Sequence, residues 1–109
     1  MTTKETYQRR IEAEVVMANA AIAELRVDAK KYKASVSTKY AKHIDEVQRL
    51  SDSVIVKLTE LGKSNDDSWI KFKDGVDRIL RLLDVVIKGT PDRFKQKRTP
   101  QETKLTILG

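Results

Sequence analysis

KETYQRR IEAEVVMANA AIAELRVDAK KYKASVSTKY AKHIDEVQRL SDSVIVKLTE L, residues 4–61, decides the fold. The stretch holds no proline and no glycine. Apolar residues recur in steps of four and three at Ile11, Val15, Ala18, Ile22, Leu25, Ala29, Tyr32 and Val36. That spacing keeps one face of a helix apolar, as in a coiled-coil seam. Past Val36 the seam continues through Tyr40, His43 or Ile44, Val47, Leu50, Val54, Leu58 and Leu61. Tyr32, Val36 and Tyr40 make two successive steps of four, a stutter that locally unwinds a supercoil. Thr2 and Glu5 fit a capping box at the start.

Gly62 reads as the C′ residue ending this helix. Asn65 or Asp66 caps a second helix, with Asp67 in its first turn. Its seam is Trp69, Phe72, Val76, Ile79, Leu83 and Val86. Leu80, Leu82, Val85 and Ile87 widen the apolar face, which predicts burial on more than one side. Gly89, Thr90 and Pro91 read as a stop. Glu5–Arg9, Asp45–Arg49, Asp67–Lys71, Asp74–Arg78, Asp77–Arg81 and Asp84–Lys88 are acid-first pairs four apart, the better orientation on a solvated helix.

The fold class is therefore all-α. A long helix and a shorter antiparallel one form a helical hairpin or coiled coil over residues 1–89. Residues 90–109 form a basic tail. A continuous first helix would be roughly 85 Å long and the second roughly 35 Å. The short helix covers only about residues 38–61 of the long one, so the seam from Tyr7 to Val36 stays open. An exposed apolar stripe of that length calls for a second chain, and a dimeric bundle is expected. The alternative is a three-helix bundle, with a break at Ala34-Ser35-Val36-Ser37-Thr38, a run of poor helix formers.

In this reading Ile11, Val15, Ala18, Ile22, Leu25, Ala29, Tyr32 and Val36 line the oligomer seam. Val47, Leu50, Val54, Leu58, Leu61, Trp69, Phe72, Val76, Ile79, Leu83 and Val86 pack the hairpin. Trp69 is an anchor near Leu58 and Leu61. Gly75 either permits a close helix approach or is tolerated at a cost of about 1 kcal/mol.

The chain has 109 residues, no cysteine and a formal net charge of +6. Disulfide and thiolate chemistry are excluded. The start lacks the apolar core of a signal peptide, and no run approaches a membrane span, so a cytoplasmic location is expected. His43 is the sole histidine and no acid stands three before it, which argues for a structural role and against a metal ligand. No glycine-rich phosphate loop and no nucleophile–base constellation is visible. No catalytic residue, metal ligand or cofactor is expected.

The charged features point to partners. No acid interrupts positions 29–44, which hold Lys30, Lys31, Lys33, Lys39 and Lys42 interleaved with tyrosines. With Arg93, Lys95, Lys97 and Arg98 they could contact a polyanion, nucleic acid or an acidic membrane surface. The plainer reading is a solvated face that discourages mispairing. Leu105, Ile107 and Leu108 behind a Pro-containing basic linker have the form of a docking peptide for a protein partner.

The opening Thr2-Thr3-Lys4-Glu5-Thr6-Tyr7, the turn from Leu61 to Trp69, and Phe72-Lys73-Asp74-Gly75-Val76 resemble short bacterial coiled-coil domain-containing proteins, some with a stress-response-like label. The resemblance covers about residues 1–88. It implies a bacterial, cytoplasmic, non-enzymatic helical protein without known catalytic residues. The basic tail departs from that pattern. The functional expectation is a homo-oligomeric coiled-coil scaffold or adaptor mediating protein–protein interaction. Polyanion binding is the alternative.

Overall fold

The computed structural model describes residues 3–65 and 67–98, leaving aside the side chains of residues 96–98. These residues form three α-helices: α1, Thr3–Ala29; α2, Ala34–Lys63; and α3, Trp69–Arg98. Each helix touches the other two, and α2 contacts both neighbours more extensively than they contact each other.

The expected long first helix is therefore two helices. The longest dimension of the molecule is 64 Å, shorter than the roughly 85 Å of an unbroken helix. The turn lies at Lys30–Lys33, just before the Ala34–Thr38 run, which instead forms the first turn of α2. No glycine or proline makes this turn. Three tight bonds do: Lys30 N to Val27 O, Lys31 N to Asp28 O, and Tyr32 N to Ala29 O. Such i→i+3 bonds tighten a helix end. Thr38 donates to Ala34 O at 2.9 Å, the local back-bonding open to a helical Thr.

The break supplies what the open seam lacked. Ile11, Val15, Ile22, Leu25 and Ala29 are buried within the one chain, with Ala18, Tyr32 and Val36 half-buried beside them. Val47, Val54, Leu58, Leu61, Trp69, Val76 and Leu83 complete the core. Leu50, Ile79 and Val86 are half-buried, and Phe72 lies at the edge, 37 % exposed. At roughly 25 cal/mol per Å² of apolar surface, this shared core is the main stabilising term.

Both expected stop signals act differently. Gly62 is helical, and no described glycine has positive φ. Ser64 caps α2 instead, its N–H bonded to Leu61 O at 3.1 Å. A Cβ on Gly62 would lie 2.7 Å from Gln8 Nε2, so the glycine admits an α1 side chain. Gly89-Thr90-Pro91 does not end α3, which runs to Arg98 with Pro91 inside. Pro91 removes one N–H. Thr90 just before it donates its hydroxyl to Val86 O at 2.7 Å, the back-bond open to a helical Thr. The packing of Phe94 holds the continuing turns: its ring is 1 % exposed and stacks on Tyr40 at 4.3 Å.

The Asn65 side chain accepts from Ser68 N at 3.0 Å, closing the turn that precedes α3, which begins at Trp69. Thr2 and Asp66, the other capping candidates, lie outside the described residues. Of the expected pairs, Lys88–Asp84 forms at 2.9 Å. Asp45 instead meets Arg26 of α1 at 3.3 Å, and Asp77 meets Lys73 at 2.8 Å.

Gly75 is tolerated, not required: it is exposed and nothing lies within 4 Å of a Cβ placed there. Gly75→Ala should raise stability by about 0.5–1 kcal/mol, read as a higher urea midpoint at unchanged m-value. Phe94→Ala should lower it by about 3–5 kcal/mol. A loss within error of zero would mean that α3 is not docked past Pro91.

Candidate functional site

Three parts of the molecule concentrate its polar chemistry: a clamp at each end of the bundle, and a groove between α1 and α3. At the end where α1 and α3 begin, Tyr7 donates a short hydrogen bond to the Asp77 carboxylate. Its ring lies 5.6 Å from that of Trp69. Burial, then the bond to Asp77, pushes the Tyr7 hydroxyl well above the ordinary tyrosine range. Burial alone would raise the Asp77 carboxyl, but hydrogen bonds from Lys73 and Tyr7 prevail and hold it low. Lys4 reaches the Ser64 carbonyl, tying α1 to the end of α2.

At the opposite end, Tyr40 of α2 contacts every neighbour. Its hydroxyl donates to Asp28 of α1 at 2.8 Å. Its ring stacks on Phe94 of α3 and meets Tyr32 of the turn edge-on, with centroids 5.5 Å apart. Burial first, and Asp28 second, keep the Tyr40 hydroxyl protonated.

His43 sits beside this stack, and its surroundings assign its tautomer. The Thr90 hydroxyl proton is committed to Val86 O. Thr90 Oγ1 therefore accepts from His43 Nε2, 2.9 Å away. That leaves Nδ1 unprotonated, facing Arg93 Nη1 at 3.5 Å. The neutral ring is paired on both sides. Burial, then the Arg93 charge, lowers its pKa against the opposing pull of Glu46. His43 thus joins α2 to Thr90 and Arg93 of α3. Among the described residues no group of three His, Asp or Glu is placed to hold a metal ion.

The lysines expected to form a patch gather here. Lys30, Lys31 and Lys33 occupy the α1–α2 turn, and Lys39 and Lys42 the opening turns of α2; all five are exposed. The continuation of α3 brings exposed Arg93 and Lys95 to the same end, and residues 97 and 98 lie in its last turn. The expected docking residues Leu105, Ile107 and Leu108 lie outside the described residues.

The groove was not anticipated as a site. It has a volume of about 760 Å³. Ala18 and Ala21 of α1 and Leu80, Leu83 and Ile87 of α3 give it an apolar floor, with Met17 of α1 at its mouth. Arg10 and Glu14 rim it on one side; Asp77, Arg81, Asp84 and Lys88 rim it on the other. The widened apolar face of α3 was the sequence signal for it: Leu80 and Ile87 point into the groove, while Leu82 and Val85 stay exposed. Thr90, Asp28 and the Asn19–Ser51 contact, 2.7 Å long and buried at Ser51, had no sequence signal.

No protein-family model matches the chain, and neither does any curated protein or solved structure. Among the described residues no helix is long and apolar enough to cross a membrane.

The His43 geometry sets a pH dependence. Its folded-state pKa lies below the unfolded value, so the unfolded chain binds the proton first as pH falls. The stabilisation is full above the unfolded pKa and is lost as pH drops through it toward the folded value. Stability should therefore decrease between about pH 7.5 and pH 5.5, and His43→Gln should flatten that slope. An unchanged slope in the variant would remove His43 from the account.

Proposed function

We propose that the chain is a non-enzymatic, homo-oligomeric helical scaffold that pairs with a second copy of itself through the α1–α3 groove. The observation that carries this reading is the charge order along the groove edge of α3: Asp77, Arg81, Asp84, Lys88. Acid and base alternate. An antiparallel copy related by a two-fold axis between Arg81 and Asp84 would set Asp77 opposite the second copy's Lys88, and Arg81 opposite its Asp84. Each acid then meets a base, and the contact is isologous, as a two-fold dimer requires.

The apolar floor supplies the adhesive surface. Met17 is 71 % exposed at the groove mouth, and methionine adapts well to irregular contacts. The seam first assigned to oligomerisation is occupied within the chain, so a second copy needs another surface. A scaffold of this kind holds or covers a protein partner, in line with the resemblance to short bacterial coiled-coil proteins.

Sedimentation equilibrium of three variants tests the pairing. Arg81→Glu should weaken the dimer by about tenfold or more, since it sets Glu against Asp84 of the other copy. Asp84→Lys should do the same against Arg81. The double variant should recover most of the loss. A chain that stays monomeric throughout, or variants that dimerise like the parent, would overturn this reading.

A further inference from the structure

The basic end of the bundle has no part in that pairing. Residues 28–46 and 90–98 together hold nine Lys/Arg and four Asp/Glu, a surplus of five within a chain whose whole surplus is six. The rest of the molecule is nearly neutral. Folding therefore turns a mild overall charge into a strongly polarised one.

Part of this has a plain explanation. Lys30 and Lys31 follow the C-terminus of α1, and Lys95 lies near the C-terminus of α3, where the helix dipole favours cations. The same dipole disfavours the cation at the start of α2. Lys33 is its N-cap residue, makes no side-chain cap, and no acid stands in the first turn. An acid there would stabilise the helix, yet positions 29–44 hold none. A local rule broken without structural gain marks a surface kept for another purpose.

The arrangement also has direction. At 100° per residue, Lys39 falls on the flank of α2 turned toward α3, about 40° from His43, and Lys42 lies about 100° from His43, on the solvent side of α2. Arg93 falls on the facing flank of α3, where its guanidinium meets the His43 ring. Lys39 and Arg93 thus rim one side of the α2–α3 junction, Lys42 extends the row onto the outer face of α2, and the turn lysines continue it around the end of the bundle.

We infer that this row binds double-stranded nucleic acid through its phosphate backbone, without reading bases. Two observations select this partner. The aromatic rings are spent inside: Tyr40 and Phe94 are buried and stacked, and Tyr32 packs against Tyr40. They offer no platform for the bases of a single strand. Nor does this end present an apolar face to a bilayer. Among the described residues, the exposed large hydrophobic side chain in the turns that carry the cations is Val27, and a single valine makes no wedge. A surface-lying membrane helix places an apolar face beside its cations. Cations on a rigid frame without an apolar wedge suit a regular array of phosphates.

The test is fluorescence anisotropy of the full chain with a mixed-sequence DNA duplex of about 20 base pairs. Affinity should fall by roughly two orders of magnitude between about 50 and 200 mM salt. Lys39→Glu with Lys42→Glu should weaken binding at least tenfold and reduce the salt slope by about two. Lys57→Glu with Lys71→Glu changes net charge equally, at exposed positions toward the other end, and should retain most of the affinity. Circular dichroism checks that both pairs fold. Equal loss in both pairs would show general charge attraction and overturn the site. So would absence of duplex binding at low salt. Binding to vesicles with anionic headgroups that exceeds duplex binding, and is lost in Lys39→Glu with Lys42→Glu, would reassign the site to a membrane surface and overturn the nucleic-acid inference.

Discussion

The stack of Tyr40 on Phe94 is the contact on which the fold's topology rests. Tyr40 is fully buried and touches all three helices and the turn: Asp28 by a hydrogen bond, Phe94 face to face, Tyr32 by its edge. A ring pair of this kind adds about 0.5–1.5 kcal/mol beyond the area it buries. Its larger effect is geometric. It draws α3 past Pro91, at a position where proline normally ends a helix. It also fixes the closing end of α1 against the opening of α2. Tyr7, Trp69 and Asp77 perform the corresponding task at the other end. Between the two clamps the core is aliphatic, apart from the small polar contact of Ser51 with Asn19.

How much of this was legible follows from what each signal measures. Periodicity reports which face of a helix is apolar, and it found the buried apolar residues of α1 and α2, but not the buried Ser51. It does not report what covers that face. Ile11 and Val15 have the same spacing whether they meet a second chain or a folded-back helix. The turn at Lys30–Lys33 was hidden because it uses neither glycine nor proline. Three successive i→i+3 bonds make it, and any residues can form those. The steps of four through Tyr32, Val36 and Tyr40 were read as a stutter within one continuous helix; they instead straddle the turn between α1 and α2, and both tyrosines pack at the corner. Gly62 marked the end of α2 to within a residue, but as a helical residue and not as a left-handed C′. Gly89-Thr90-Pro91 misled for the reverse reason: it is a breaker by local propensity, overridden by Phe94 docking beyond it. Local preference of about 1–3 kcal/mol yields when burial returns as much.

The candidate surfaces were partly legible. The lysine run was plain in the sequence, but its continuity with Arg93 needed the longer α3. The groove was foreshadowed only by an α3 too apolar for a single contact. Its sign-alternating edge looks, in sequence, like ordinary helix-stabilising charge spacing. Lys88 and Asp84 do pair within the helix. An exposed pair of this kind is worth little, about 0–1 kcal/mol, so it can be exchanged for a contact across an interface.

The two proposed surfaces are compatible, and their geometry couples them. An antiparallel axis between Arg81 and Asp84 leaves Arg93 of each copy some ten residues of helix beyond the axis, or roughly 16 Å. The two basic ends would then face opposite ways along one rod, separated by about twice that distance. Neither end would be covered by the pairing, because the groove edge stops at Lys88 and the cationic row lies on the other flank of α3. Such a dimer would hold two phosphate-binding ends at a fixed spacing. Binding at one end would raise the effective concentration of the other for the same duplex or a neighbouring one. Weak contacts by individual lysines would gain strength from pairing the copies, with no change in the surface that each chain presents.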